Sequence, residues 1–288
     1  MIIPPLPTPF DAKGNLDAAA FAELAQALEP QVDGLLFYGS NGEGVHLSNI
    51  EREKGLKAQR PSKPCGMGLM EETIPAGLEA LAQANMVAAR YVLVTPPRYY
   101  NANLGAEGLA SYYTALAGAA GPEVWLYHVP QNTKAELPLP LVAELAKHPR
   151  ITGLKDSSGE LSRMAFYRAA GVGLEVFTGH APTFLGSLAL GAKGGILAAA
   201  NLAPKGYRAI LSAWKEGNSS EALRLHCQLE PLGRILAQGG FVLLKQALRY
   251  LGLPGGYPRP PYPHESPHWA GFRPVLDKLK YDGLLVTG

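Results

Sequence analysis

The sequence predicts a (β/α)8 barrel, the TIM-barrel architecture, followed by a C-terminal helical extension. Short apolar runs alternate with Ala- and Leu-rich helical patterns from the N-terminus to about residue 200, the signature of βα units on a parallel sheet. The units are alike throughout, which favours closure into a barrel over a doubly wound open sheet. A chain of 288 residues with 47% apolar content also suits one large core.

The expected strands cover residues 2–8, 34–38, 64–69, 91–95, 124–129, 151–154, 174–177 and 194–198. Between them the pattern predicts helices over 17–28, 48–59, 74–89, 106–120, 138–147, 160–170 and 182–190. Beyond the eighth strand only helical patterns remain, at 204–215, 219–237, 241–250 and 267–280. The chain therefore divides into a catalytic barrel over 1–203 and an extension over 204–288 packed on it. The segment 255–264, GGYPRPPYPH, separates the last two helices. Its prolines cannot continue a helix and favour extended backbone, which predicts a fixed strap.

Composition excludes several classes. The net charge of +2 arises from 26 basic and 24 acidic residues without long runs, so no nucleic-acid footprint is expected. Cys65 and Cys227 stand far apart, which excludes a disulfide framework and a cysteine-rich metal site and fits a reducing cytoplasm. The start, MIIPPLPTPF, has no basic n-region or cleavage site, and no apolar stretch approaches about 18 residues, so no membrane span is expected. His264 and His268 are four apart but lie in the proline-rich stretch, where no helix aligns them. His128 and His180 lie at strand ends without a carboxylate cluster and read as hydrogen-bonded wall residues. Chemistry without metal or cofactor is the expectation.

In a barrel, catalytic groups come from the C-terminal ends of the strands and the loops after them. Lys155 closes the sixth apolar run, ITGLKDSSG at 151–159, where the strand carries its ammonium toward the interior. Desolvation disfavours the charged form of a lysine, and a neutral amine attacks ketones. The bland alternative is a lysine whose stem lies on apolar surface while its head reaches water. Asp156 follows at once, and strand alternation points its carboxylate away from the face of Lys155.

The second strand ends in GSNGEG, 39–44, where glycines permit a tight turn that leaves amides facing a ligand. Ser40 and Asn41 beside such amides suit a carboxylate, or the run is an ordinary turn. Its glycine spacing is not the dinucleotide fingerprint. Alternation in the fifth strand puts Tyr127 on one face with Trp125 and Val129, either as a proton shuttle or as a packed ring with one hydrogen bond. The loop TPPRYYN, 95–101, is rigid and aromatic, and its tyrosines suit an oligomer contact as well.

Taken in order, PTPF at 7–10, GSNGE at 39–43, TPPRYYN at 95–101, LYHVP at 126–130, GLKDSSG at 153–159 and GGILAAAN at 194–201 resemble the dihydrodipicolinate synthase and N-acetylneuraminate lyase family of class I aldolases. The resemblance spans nearly the whole chain. It implies that Lys155 forms a Schiff base with pyruvate, that Tyr127 relays protons, and that Ser40 and Asn41 bind the substrate carboxylate. It also implies that Ile196 offers a backbone contact to pyruvate and that Tyr100 is lent to a neighbouring subunit of a dimer or tetramer.

Departures within that resemblance narrow the substrate. Synthases of the family usually carry Gly-Thr-Thr-Gly-Glu after the second strand, and an arginine after the fifth that grips the second substrate's carboxylate. Ser40, Asn41 and Asn132 stand there instead. Without the arginine the bidentate clamp is missing. GSNGE, VPQNT, the run HPRITGLKDSSGELSR and the GGILAAAN stretch look like 4-hydroxy-2-oxoglutarate aldolases, whereas GYPRPP looks like 2-keto-3-deoxygluconate aldolases. Lys134 replaces a glycine common in the family, where it would reshape the distal pocket or supply a charge. Ser157, two residues past Lys155 on the same face, is placed to hydrogen-bond the distal part of the substrate. The expected activity is reversible cleavage of a 4-hydroxy-2-oxo acid to pyruvate and an aldehyde. Dihydrodipicolinate synthesis, a 2-keto-3-deoxygluconate-type cleavage and a non-catalytic barrel that binds 2-oxo acids are the alternatives.

Overall fold

The computed structural model describes residues 1–119 and 121–286, so Ala120, the expected end of the fourth helix, and the last two residues of the extension lie outside the described residues. The eight strands are β1 (Ile2–Ile3), β2 (Leu35–Phe37), β3 (Cys65–Leu69), β4 (Tyr91–Val94), β5 (Glu123–His128), β6 (Ile151–Asp156), β7 (Glu175–Thr178) and β8 (Gly194–Ile196). All pair in parallel, in the order β1-β8-β7-β6-β5-β4-β3-β2. The ring closes between the N-terminal segment and β2. There Leu36 N donates to Pro4 O at 3.2 Å and Leu6 N donates to Leu36 O at 2.9 Å.

The first strand is shorter than the expected 2–8. Pro4, Pro5, Pro7 and Pro9 have no N–H to give, so the ladder is reduced to Ile2 and Ile3 against β8 and a single bridge from Pro5 to Leu36. The sixth strand is longer than expected and includes Lys155 and Asp156, because β5 and β7 pair with it to that point.

The helices between strands are α1 (Ala18–Leu28), α2 (Asn49–Lys57), α3 (Ile74–Ala84), α4 (Asn101–Gly118), α5 (Pro130–Thr133), α6 (Leu139–Leu145), α7 (Leu161–Ala169) and α8 (Phe184–Ala189). Their starts follow local chemistry. Asp17 accepts from Ala20 N at 2.9 Å, and Ser48 with Glu51 forms a reciprocal capping box. Helix α4 starts at Asn101 rather than 106, with a break at Gly105 (φ 63), and the short α5 has no counterpart among the expected helices. Three longer helices follow β8: α9 (Pro204–Lys215), α10 (Ser219–Tyr250) and α11 (Trp269–Tyr281). Gly240 (φ 58) interrupts α10, which separates the two helical segments expected at 219–237 and 241–250. The strap after α10 pairs back on the N-terminal segment, where Tyr257 N donates to Phe10 O at 2.8 Å.

Inside the ring, alternate side chains form a small core. Tyr91 stacks on Trp125 at 3.7 Å between ring centroids, and Trp125 on Phe177 at 5.0 Å. Gly153 permits this stack, since a Cβ there would lie 2.4 Å from the indole. These rings plug the barrel below the level of Lys155.

Asp156 faces the opposite way, as alternation requires. Its Oδ2 accepts from Arg163 Nε at 2.9 Å and Tyr167 OH at 2.8 Å, both from α7. Its Oδ1 accepts from Ser158 N at 2.9 Å and Ser158 Oγ at 2.6 Å, with His128 Nδ1 at 3.4 Å. Burial opposes the charge, yet His128 and Ser158 outweigh it and hold the carboxyl well below the usual carboxylate range. The stabilisation is therefore complete above the unfolded value near pH 4 and is lost as pH falls through the depressed folded value. Asp156→Ala leaves Arg163 without its buried partner, and urea titration at pH 7 is expected to register a loss of about 3–5 kcal/mol. A loss under about 1 kcal/mol would show that the cage does not anchor β6.

Candidate active site

A cavity of about 620 Å³ opens at the C-terminal ends of the strands. Lys155, only 3% exposed, enters it from β6. Its register partner on β5 is Tyr127, and Lys155 Nζ donates to Tyr127 OH at 3.2 Å. The ammonium also lies 4.4 Å from the centre of that ring. Ser40 Oγ stands 3.2 Å from the same phenol oxygen, so amine, phenol and hydroxyl form one chain. Burial alone would raise the Tyr127 pKa. The Lys155 charge and hydrogen bonds from Ser40, Lys155 and Ser157 outweigh it and hold the phenol below its ordinary value. The phenol is thereby suited to accept a proton from a neighbour.

The loop after β2 makes a tight turn over Ser40–Gly42. Gly42 N donates to Gly39 O at 2.9 Å, and Thr8 Oγ1 donates to Gly42 O at 2.6 Å from beneath. The amides of Ser40 and Asn41 have no backbone partner among the described residues, which leaves them for an anion. Ile196 lines the cavity at the end of β8. Ser157 lines it beyond Lys155, with Ser157 N donating to His128 O at 2.8 Å and Gln131 Nε2 donating to Ser157 O at 2.9 Å. Asn132 stands at the rim on α5.

Tyr100 is not brought into this cavity. It is 73% exposed on the surface, edge-on to Tyr99 at 4.8 Å between centroids. Lys134 is also outside the lining, which corrects the expectation of a charge or reshaped wall there; it is exposed in left-handed backbone (φ 53), a conformation that suits the glycine it replaces. Arg98 does line the cavity, but its Nε lies 3.1 Å from Glu72 Oε1.

Several contributors escaped sequence reasoning. Gly179, after β7, packs so closely that a Cβ would lie 1.9 Å from Ser157 Oγ and 2.7 Å from Lys155 Cε. The extension supplies part of the wall through Gly233, Leu236 and Phe241. Glu43 and Lys245 form an ion pair with both side chains fully buried. The available signals were a glycine at a strand end and a lone lysine in the apolar run FVLLKQAL.

A buried lysine and a proton-accepting phenol at the mouth of a closed (β/α)8 barrel, beside a turn with free amides, define a lysine-dependent, class I aldolase. The chain belongs to the dihydrodipicolinate synthetase family, whose profile matches residues 1–268. It is 32% identical to a 4-hydroxy-tetrahydrodipicolinate synthase of Exiguobacterium sibiricum, over 97% of each chain. A candidate dihydrodipicolinate synthase of Thermus thermophilus superposes with a TM-score of 0.96 at 62% identity, covering 99% of this chain and 100% of that one. The Escherichia coli prophage protein YagE, of the same family and solved with pyruvate, gives 0.88 at 28% identity over 97% of this chain and 98% of its own. Members of this family are lyases that use pyruvate, and this chain is accordingly a carbon–carbon lyase. Among the described residues no helix is long and apolar enough to cross a membrane.

Gly179→Ala drives a methyl into Ser157 and the Lys155 stem. It is expected to abolish covalent capture of pyruvate by borohydride while the circular-dichroism melt stays cooperative; undiminished capture would refute the packing argument.

Proposed function

We propose that the chain reversibly cleaves a 4-hydroxy-2-oxo acid to pyruvate and an aldehyde through an imine on Lys155. The observation that carries this reading is the Lys155 amine 3.2 Å from a phenol of lowered pKa in the cavity. Tyr127, as phenolate, takes a proton from the Lys155 ammonium, and the freed amine adds to the C2 ketone. Tyr127 returns that proton to the departing hydroxyl of the carbinolamine, so loss of water gives the iminium and restores the phenolate. Tyr127 then takes the proton of the 4-hydroxyl as the C3–C4 bond breaks, and the bonding pair moves into the iminium to leave an enamine and the aldehyde. Protonation at C3 and hydrolysis by water release pyruvate and restore the amine.

Other residues hold the substrate in this scheme. The amides of Ser40 and Asn41 bind the C1 carboxylate, the Ile196 backbone borders the pyruvate, and Ser157 hydrogen-bonds the distal part. Ser40 and a Tyr100 lent by a second copy of the chain extend the proton relay to solvent, so the active form is an oligomer.

A second reading is condensation of pyruvate with aspartate semialdehyde. The names of the relatives support it better than they support cleavage, since the curated relatives at 31–34% identity are 4-hydroxy-tetrahydrodipicolinate synthases. Asn132 supports cleavage. It offers no charge where synthases of the family usually carry an arginine, and the lining arginine, Arg98, is already engaged with Glu72.

Borohydride with pyruvate is expected to leave a reduced adduct on Lys155 by peptide mass mapping, absent in Lys155→Ala. Tyr127→Phe should retain binding and lower kcat by roughly 10²- to 10⁴-fold. An adduct on another lysine would overturn the mechanism. In a panel of 2-oxo acids, release of pyruvate from 4-hydroxy-2-oxo acids is expected to outpace condensation with aspartate semialdehyde, and the reverse ranking would install the second reading.

A further inference from the structure

His180 follows Gly179 at the end of β7, so it lies one residue beyond the backbone that packs on Lys155 Cε. Its half-buried imidazole is part of the cavity wall. Two contacts fix the ring. His180 Nδ1 lies 3.1 Å from Thr183 Oγ1, and that hydroxyl donates to the His180 carbonyl at 3.4 Å. In the arrangement in which Thr183 Oγ1 donates to the carbonyl, that oxygen offers Nδ1 only lone pairs, so Nδ1 carries the proton and Nε2 holds a lone pair. Behind the ring, Gly159 (φ 81) approaches so closely that a Cβ would lie 2.8 Å from Nδ1 and 3.0 Å from Cε1. The ring cannot retreat on that side. Nε2 has no partner among the described residues. Burial lowers the imidazole pKa, which keeps the ring neutral at pH 7.

We infer that His180 is a specificity-determining residue whose Nε2 accepts a hydrogen bond from a hydroxyl on the aldehyde half of the substrate. The inference rests on the imine reading of Lys155 and narrows its substrate class. A fixed lone pair attracts a hydroxyl hydrogen and repels a carboxylate, and neither Asn132 nor the Glu72-bound Arg98 offsets that repulsion. The preferred aldehyde half is thus neutral and hydroxylated next to the carbon that becomes the aldehyde. Removing the acceptor should affect discrimination between aldehydes and leave imine formation with pyruvate intact.

The test uses a matched pair that differs by one hydroxyl, 4-hydroxy-2-oxopentanoate and 4,5-dihydroxy-2-oxopentanoate, with the full-length protein. The wild type is expected to favour the 5-hydroxylated acid roughly tenfold or more in kcat/KM, the scale of one good neutral hydrogen bond. In His180→Ala the ratio falls to about one through KM, while borohydride capture of pyruvate on Lys155 proceeds at the wild-type rate. His180→Gln, whose amide oxygen can accept the same hydrogen bond, restores part of the ratio. An unchanged ratio in His180→Ala with capture intact overturns the role of His180 and leaves the imine reading standing. Loss of capture in His180→Ala also overturns it, because the residue would then act on the imine or the fold. Failure of capture in the wild type removes the imine reading and this inference together.

Discussion

Consecutive residues of a strand must point to opposite faces, and on β6 that constraint separates an amine from a carboxylate. Asp156 turns outward into a cage of donors from α7 and Ser158, and Lys155 consequently turns inward. A slip of one residue would bury the carboxylate among the barrel rings and put the ammonium against Arg163, leaving two charges unsatisfied. The cage therefore fixes the rotation of the strand as well as its position. The stack of Tyr91, Trp125 and Phe177 fills the barrel beneath, so the amine can only lie at the mouth, where Tyr127 is its register partner. Geometry and chemistry at this site descend from one alternation.

The C-terminal helices hold the turn on the opposite side of the cavity mouth. Lys245, in the second half of α10, pairs with Glu43 of the turn that carries Ser40 and Asn41, and it also donates to Tyr257 O at 2.9 Å in the strap. Glu43 Oε2 receives Arg259 N at 3.1 Å from the strap and lies 3.1 Å from His46 Nδ1. A buried pair of this kind gives little net stability because both charges are desolvated, but removal of either partner strands the other. Its consequence is positional. Glu43 itself adopts left-handed backbone (φ 51), and the contacts from α10 and the strap hold that unfavourable turn in place.

Much of this was legible because it is local. Alternation along β5 and β6 is a property of neighbouring residues, so Tyr127, Lys155, Ser157 and the outward Asp156 could be placed from order alone, and the glycines of GSNGE announce their turn. The boundaries that moved did so where backbone chemistry competes with apolar pattern. Prolines stripped β1 of its ladder, and Gly105 let α4 begin a turn early. What could not be read is what depends on distant partners. Lys245 meets Glu43 across 202 residues of sequence, and Gly179 is constrained by the stem of Lys155 on another strand. Tyr100 is a third kind of case, since the cavity of its own chain does not receive it and its implied role belongs to a second copy.

The two ends of the cavity carry different information about function. The near end holds Lys155, Tyr127 and the amides of Ser40 and Asn41, which in the proposed scheme serve the ketone and its neighbouring carboxylate whatever lies beyond C4. Family membership speaks to that end, because imine formation from pyruvate is the step that such barrels share. In the proposed scheme the choice of partner aldehyde falls to the far end, through the charge and hydrogen-bonding sense of a few rim groups. Here Asn132 is neutral, Arg98 is tied to Glu72, and His180 is held by Thr183 and Gly159. A rim with no uncommitted cation among these groups leaves a second carboxylate without a counter-charge after it has lost its water, and desolvation then works against it. A hydroxyl loses far less on entering such a site and can still share a hydrogen bond with a neutral group there.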